Sequence, residues 1–282
     1  MPNLIDDESH MKLYIMTDLE GVAGVINARD YIYQESRYYE TARRLLTEEV
    51  NAAIEGFADG GFTDFFVVDG HGAGAINIDL LDPRARLSRG WGPVAYPFGM
   101  TCEFDAVAYV GQHAKAGTPF SHLTHTGSFH VLDQTLNDIS IGEYGEGAFM
   151  AGELGVPVIF ASGEKAFCDE AQSLTPWVQT VAVLEGVVAD TGDELEAEAY
   201  ERFHEAAVHL QPKRACEMIR EGAARAARRF VDDRSSFKTL TIDPPYTLHR
   251  VNRPSDGKEG QHSKFEHPSS IIELFQSRVR QS

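Results

Sequence analysis

KLYIMTDLEGVAG, residues 12–24, decides how this chain folds. Its first part, KLYIMTD (12–18), is a short apolar run of the kind that forms a buried strand. Two carboxylates, Asp18 and Glu20, then end it, and Gly21 and Gly24 let the backbone turn away. Working outward, Ala42, Leu45, Leu46, Val50, Ala53, Ile54 and Phe57 recur at helical spacing, with Gly60-Gly61 as the stop. TDFFVVD (63–69) and DAVAYVG (105–111) read as further strands, GEGAFMAGELG (145–155) as a helix, and VPVIFASG (156–163) as another buried strand. Strands that alternate with helices at this interval predict right-handed βαβ units. The fold class is therefore α/β, a mainly parallel sheet flanked by helices.

Beyond Glu164 the texture changes, which predicts a smaller α+β C-terminal domain over 165–282 after an α/β domain over 11–164. Residues 176–184 read as a strand, an acidic stretch near 193–208 as a helix, and 212–230 as a second helix, with Pro212 suited to its first turn. KTLTIDPP (238–245) is expected to be a strand, 253–266 a polar loop, and the residues from Pro268 a last helix. Residues 1–10 carry no basic start before an apolar stretch, so they read as a flexible extension rather than a leader. The net charge of −18 repels phosphate backbones and anionic lipid, which argues against nucleic acid and membrane as partners. Cys102, Cys168 and Cys216 lack CxxC spacing, so they predict reduced, mostly buried thiols in a cytoplasmic protein.

The chemistry is expected where polar residues interrupt the strands. Asp18 and Glu20 close the first strand, Asp69-Gly-His71-Gly the second and Gly111-Gln-His113-Ala the third. Open α/β sheets place their binding crevice at these carboxyl ends. Taken singly, each residue is more often a turn-former, a cap or a satisfied buried group. Together they form a mixed carboxylate and imidazole set suited to zinc or manganese. SHLTHTGSFH (121–130) adds His122, His125 and His130, and IGEYGEG (141–147) places Glu143 ahead of a helix. Two adjacent metal ions need a bridging carboxylate and several terminal ligands. Asp18, Glu20, His71, His113 and Glu143 match that number and type, with His125 available as proton carrier or electrophile.

At these residues the sequence resembles the DppA-type D-aminopeptidases. The similarity runs through MKLYIMTDLEG (11–21), TEEVNAAI (47–54), VVDGHG (67–72), VGQHAKAGTP (110–119), THTGS (124–128) and IGEYGEGAFMAGELGVPVIFASGE (141–164). The resemblance implies two zinc ions held by Asp18, Glu20, His71, His113 and Glu143, with His125 as the catalytic histidine. It also implies release of an N-terminal residue, a D-amino acid, from short peptides or amino acid amides. The implied assembly is a homo-oligomer, a ring-shaped decamer whose sites face an internal cavity. Beyond about residue 170 the similarity weakens to the helical segment 207–229. Two other readings compete: a dinuclear metallohydrolase of phosphoesters or non-peptide amides, and a metal-binding module without chemistry.

Overall fold

The computed structural model describes residues 10–72, 74–89 and 97–281; of the extension expected at 1–10, all but His10 lies outside them. The first half runs β1 (Lys12–Thr17), α1 (Ala28–Tyr31), α2 (Tyr39–Asp59), β2 (Asp64–Asp69), β3 (Ala85–Ser88) and β4 (Ala106–Gln112). There follow β5 (Val131–Leu136), β6 (Ile139–Ser140), α3 (Glu143–Glu153), β7 (Val158–Glu164), α4 (Lys165–Leu174) and β8 (Gln179–Gly186). The chain ends with α5 (Ala197–Tyr200), β9 (Ala207–His209), α6 (Pro212–Asp232), β10 (Tyr246–Asn252), β11 (His262–His267) and α7 (Ile271–Gln281).

The large sheet has the order β3-β2-β1-β4-β7-β8-β9, parallel throughout except for the antiparallel edge strand β9. Alternation along β1 sends Leu13 and Ile15 to one face, packed with Val50, Ile54 and Phe57 of α2 and Ile219 and Ala223 of α6. Tyr14 faces the other way, with Tyr109 of β4, Tyr144 and Ala148 of α3 and Phe167 of α4. A four-stranded antiparallel sheet, β11-β10-β5-β6, packs its Leu136 and Leu248 against Leu274 and Phe275 of α7 and Phe149 of α3. Both sheets draw strands from both sides of residue 164. No helix among the described residues is long and apolar enough to cross a membrane.

Several expected elements differ. KTLTIDPP is not a strand; it lies against α3, where Leu240 O is so close that a Cβ on Gly152 would sit 1.8 Å from it. The ladder begins only after Pro244-Pro245, as two prolines that offer no N–H require. The polar loop expected at 253–266 contains most of β11, an edge strand that pairs through its backbone and buries no apolar stripe. The helix expected near 193–208 shrinks to the four residues of α5. The Arg253 guanidinium takes the carbonyls of Gly192, Asp193 and Leu195 that a longer helix would need. The three cysteines are free, but Cys102 is exposed rather than buried.

Glu49, on α2, is a buried carboxylate that ties the helix to the first loop by accepting from Ala23 N at 2.9 Å. Burial pushes its carboxyl up to about 8, against the opposing pull of that N–H. A folded value above the unfolded one of about 4.3 means that the stability is present below the unfolded value and is lost as pH rises through about 8. Glu49→Gln therefore flattens the decline. Denaturant unfolding of chelator-stripped protein at pH 5 and pH 8.5 should show wild type losing on the order of a few kcal/mol more than the variant. Equal losses would contradict this assignment.

Candidate metal centre

The central strands β2, β1 and β4 lie side by side with their carboxyl ends together, so the residues that follow them meet. Asp18 N donates to Val110 O at 3.0 Å, and Gly21 N donates to Gly111 O at 2.8 Å. These bonds carry the loop after β1 directly over the end of β4. The approach demands glycine, because a Cβ on Gly21 would lie 1.8 Å from Gln112 O. Gly70 is pinned in the same way against Thr17 O, 2.3 Å from its would-be Cβ, which aims the next residue, His71, at the loop.

Five of the predicted residues converge with His125. His71 Nδ1 lies 3.4 Å from Asp18 Oδ1 and 3.2 Å from Glu20 Oε2. His113 Nε2 lies 3.1 Å from Asp18 Oδ2 and 3.6 Å from Glu143 Oε1, and His125 Nε2 lies 3.7 Å from the same Glu143 oxygen. The His113 and His125 rings stack with centroids 4.0 Å apart. Ligand atoms of Asp18, Glu20 and His113, and those of His113, His125 and Glu143, each fall within 4.8 Å of one another. Asp18 thus stands between His71 and His113, the place of a bridging group, and strand pairing brings both histidines to it. Glu143 opens α3, and its Oε1 also accepts from Gly127 N at 2.7 Å.

Each histidine has its outward nitrogen fixed by a carbonyl. His71 Nε2 donates to Ile32 O at 2.7 Å, His113 Nδ1 to Ala114 O at 2.9 Å and His125 Nδ1 to Leu123 O at 2.8 Å. In the neutral ring the nitrogen facing the carboxylates would then offer a lone pair, which is how metal-ligating histidines are held. His113 Nε2 is buried with no hydrogen-bond partner among the described residues, although a carboxylate oxygen stands 3.1 Å away. Such a nitrogen beside a carboxylate needs a proton or a metal cation between the two. The only groups within ion-pair distance of Asp18, Glu20 and Glu143 among the described residues are imidazoles. The donor set fits divalent metal.

The metal-free charges show the same deficit. Burial disfavours the Asp18 anion, yet His113 and His71 hold it well below the usual carboxylate range. Burial pulls both of those imidazoles down, but Glu20, Glu143 and Asp18 drive them well above the ordinary histidine value. Burial pushes Glu143 up to about 7 despite His113, and burial with the neighbouring His113 takes His125 down to about 3.

Asp69 does not join the cluster; it clamps its own turn by accepting from Ala75 N and Ile76 N at 2.9 and 3.1 Å. His122 is buried, with Nε2 3.0 Å from Val25 O, and the exposed His130 stands on the wall of the adjoining cavity. Two buried carboxylates escaped the sequence reading. Glu164, at the end of β7, accepts from Ala114 N at 2.5 Å and from His122 N, so one side chain ties the His113 loop to the His125 loop. Glu170, on α4, accepts from Lys115 N at 2.9 Å and Gly142 N at 3.2 Å, joining the His113 loop to the start of α3. The available signal was a carboxylate ending the buried run VIFASGE, the position that Asp18 takes on β1.

Residues 11–254 match the model of the peptidase M55 family, described as D-aminopeptidase. The chain belongs to this family. It is 34% identical over 175 residues to a D-aminopeptidase of Bacillus subtilis (strain 168), a match covering 61% of this chain and 63% of that protein's length. The zinc-dependent D-aminopeptidase DppA from Bacillus subtilis, described as a self-compartmentalizing protease, superposes with a TM-score of 0.81 at 26% identity. That match covers 96% of each chain.

Removing one candidate ligand should weaken cation binding strongly, and loosening its support should weaken it less. Calorimetric titration of chelator-stripped protein with a divalent cation is expected to show His113→Ala weakened by on the order of 100-fold and Glu164→Gln by about 10-fold. Unchanged affinity in His113→Ala would show that the cation sits elsewhere.

Proposed function

We propose that this chain is a zinc-dependent aminopeptidase releasing the N-terminal residue, a D-amino acid, from short peptides or amino acid amides. The observation that carries it is the convergence of Asp18, Glu20, His71, His113 and Glu143, with imidazoles as the only ion-pair partners of the three carboxylates among the described residues. The membership of the D-aminopeptidase family supports the reaction, and the match to a zinc-dependent member supports the metal. Two zinc ions per chain would be held by Asp18, Glu20, His71, His113 and Glu143. Bound there, the pair supplies Lewis acidity that polarises the scissile carbonyl and acidifies a water.

The rest of the mechanism belongs to this chain's own side chains. His125, held by Leu123 O, keeps Nε2 turned to the reacting region and is placed to carry a proton to the leaving amine or to face the developing oxyanion. Glu143 is held by Gly127 N, and the mostly buried walls keep bulk water from the reacting carbonyl. Residues beyond 164 take part in confinement, since Glu198, Glu201 and Arg278 stand on the wall of the same cavity. The self-compartmentalizing relative supports a homo-oligomer, which we take to be a decamer of 31.2 kDa chains. Three free thiols suit a reducing compartment, and we place the protein in the cytoplasm.

Activity tests this directly. Zinc-loaded protein should hydrolyse D-aminoacyl amides, lose turnover on chelation and regain it with zinc, while phosphate esters stay intact. His125→Ala should lower kcat by about 10²–10⁴-fold with little change in KM, while still binding metal. Absence of turnover on both D- and L-aminoacyl amides by protein holding two zinc equivalents would refute the peptidase assignment.

A further inference from the structure

A cavity of about 700 Å³ opens at the metal centre, and its walls descend from two of the proposed ligands. Along β1, side chains two residues apart share a face, so Met16 and Tyr14 follow Asp18 inward at roughly 7 Å per step. Along α3, Gly147 and Met150 follow Glu143 on one helical face. Register places Tyr109 of β4 beside Met16, and Met100 completes the wall. Tyr14, Tyr109, Met100 and Met150 are buried, while Tyr33, Gly127, His130 and Glu198 on the same lining are exposed. The cavity therefore has an apolar, enclosed part under the sheet end and an open mouth.

Exopeptidase geometry assigns the two parts. The peptide beyond the scissile bond must leave through the open mouth, so the enclosed part receives the side chain of the residue being released. Its charged groups are already matched: Arg278 grips Glu146 through two bonds, 2.6 and 3.0 Å, and Gln134 Nε2 donates to Glu146 Oε1 at 2.7 Å. Three methionines give a surface that adapts to large apolar shapes. Two buried side-chain atoms of lining residues, Gln112 Oε1 and the Tyr109 hydroxyl, have no hydrogen-bond partner among the described residues. The Tyr109 hydroxyl packs against α3 at Gly147, where a Cβ would come within 2.0 Å of it.

Resting on the aminopeptidase reading, we propose that this enclosed part is a specificity pocket for a large uncharged side chain on the released residue. Peptides beginning with leucine-, methionine-, phenylalanine- or tyrosine-like residues are then the substrate class, ahead of alanine. Tyr109 is the specificity-determining residue that supplies a hydrogen bond to a polar tip.

The test uses zinc-loaded full-length protein and amides of Ala, Leu, Met, Phe, Tyr, Lys and Glu in both enantiomeric series. In the series turned over, kcat/KM for Leu, Met and Phe should exceed that for Ala by at least about tenfold, with Lys and Glu at or below Ala. Free phenylalanine of that series should bind more tightly than alanine by calorimetry. Tyr should exceed Phe by about fivefold, and Tyr109→Phe should bring that ratio to about one. Alanine as the best substrate, or tighter binding of free alanine, overturns the pocket. A Tyr-to-Phe ratio that Tyr109→Phe leaves unchanged overturns the role of the hydroxyl. No turnover of any amide defeats the aminopeptidase reading and this inference with it, whereas turnover of alanine alone defeats only the inference.

Discussion

Everything at the centre depends on β1 being paired in parallel between β2 and β4. That ladder puts Thr17 level with Asp69 on one side and Val110 on the other, so three chain segments leave the sheet at one level. A slip of one residue would turn Asp18 and Met16 to the opposite face and bring Leu13 and Ile15 out of the core they share with α2 and α6. The hydrophobic face therefore fixes the ligand geometry: the packing that buries Leu13 and Ile15 also sets where Asp18 points.

Convergence has an electrostatic cost that the fold alone does not offset. Asp18 and Glu20 are nearly fully buried, Glu143 is only partly exposed, and unpaired buried carboxylates are strongly disfavoured. In the metal-free chain, His71 and His113 answer with protons, which is why their imidazoles are driven upward. Divalent cations would replace those protons and relieve the same field more fully, so metal binding and deprotonation are coupled. Glu164 and Glu170 belong to a separate arrangement. They bind backbone N–H groups, tying the loop segments around His113, His125 and the start of α3 together.

Much of this was legible in sequence because the central strands are parallel and buried on both faces, which writes them as near-continuous apolar runs. Against such runs the interruptions at Asp18, Glu20, His71 and His113 stand out. Elements held by other forces left weaker marks. β11 pairs through its backbone and shows no apolar stripe, and α5 is cut short by Arg253 reaching back from more than fifty residues away. Asp69 had the same claim as His71 on composition, and only the turn to Ala75 decides between them. The cavity wall was illegible for another reason: Met16, Tyr109 and Met150 become neighbours only once the register and the helix placement are known.

The central proposal is that Asp18, Glu20, His71, His113 and Glu143 would together hold a pair of cations. X-ray absorption at the zinc edge of the fully loaded protein tests it most directly. The expected result is nitrogen and oxygen donors only, at about 2.0–2.2 Å, and a metal–metal vector of about 3.5–4 Å that disappears in Asp18→Ala. A single isolated zinc with no second metal in that shell, or a metal pair that survives Asp18→Ala, would contradict it.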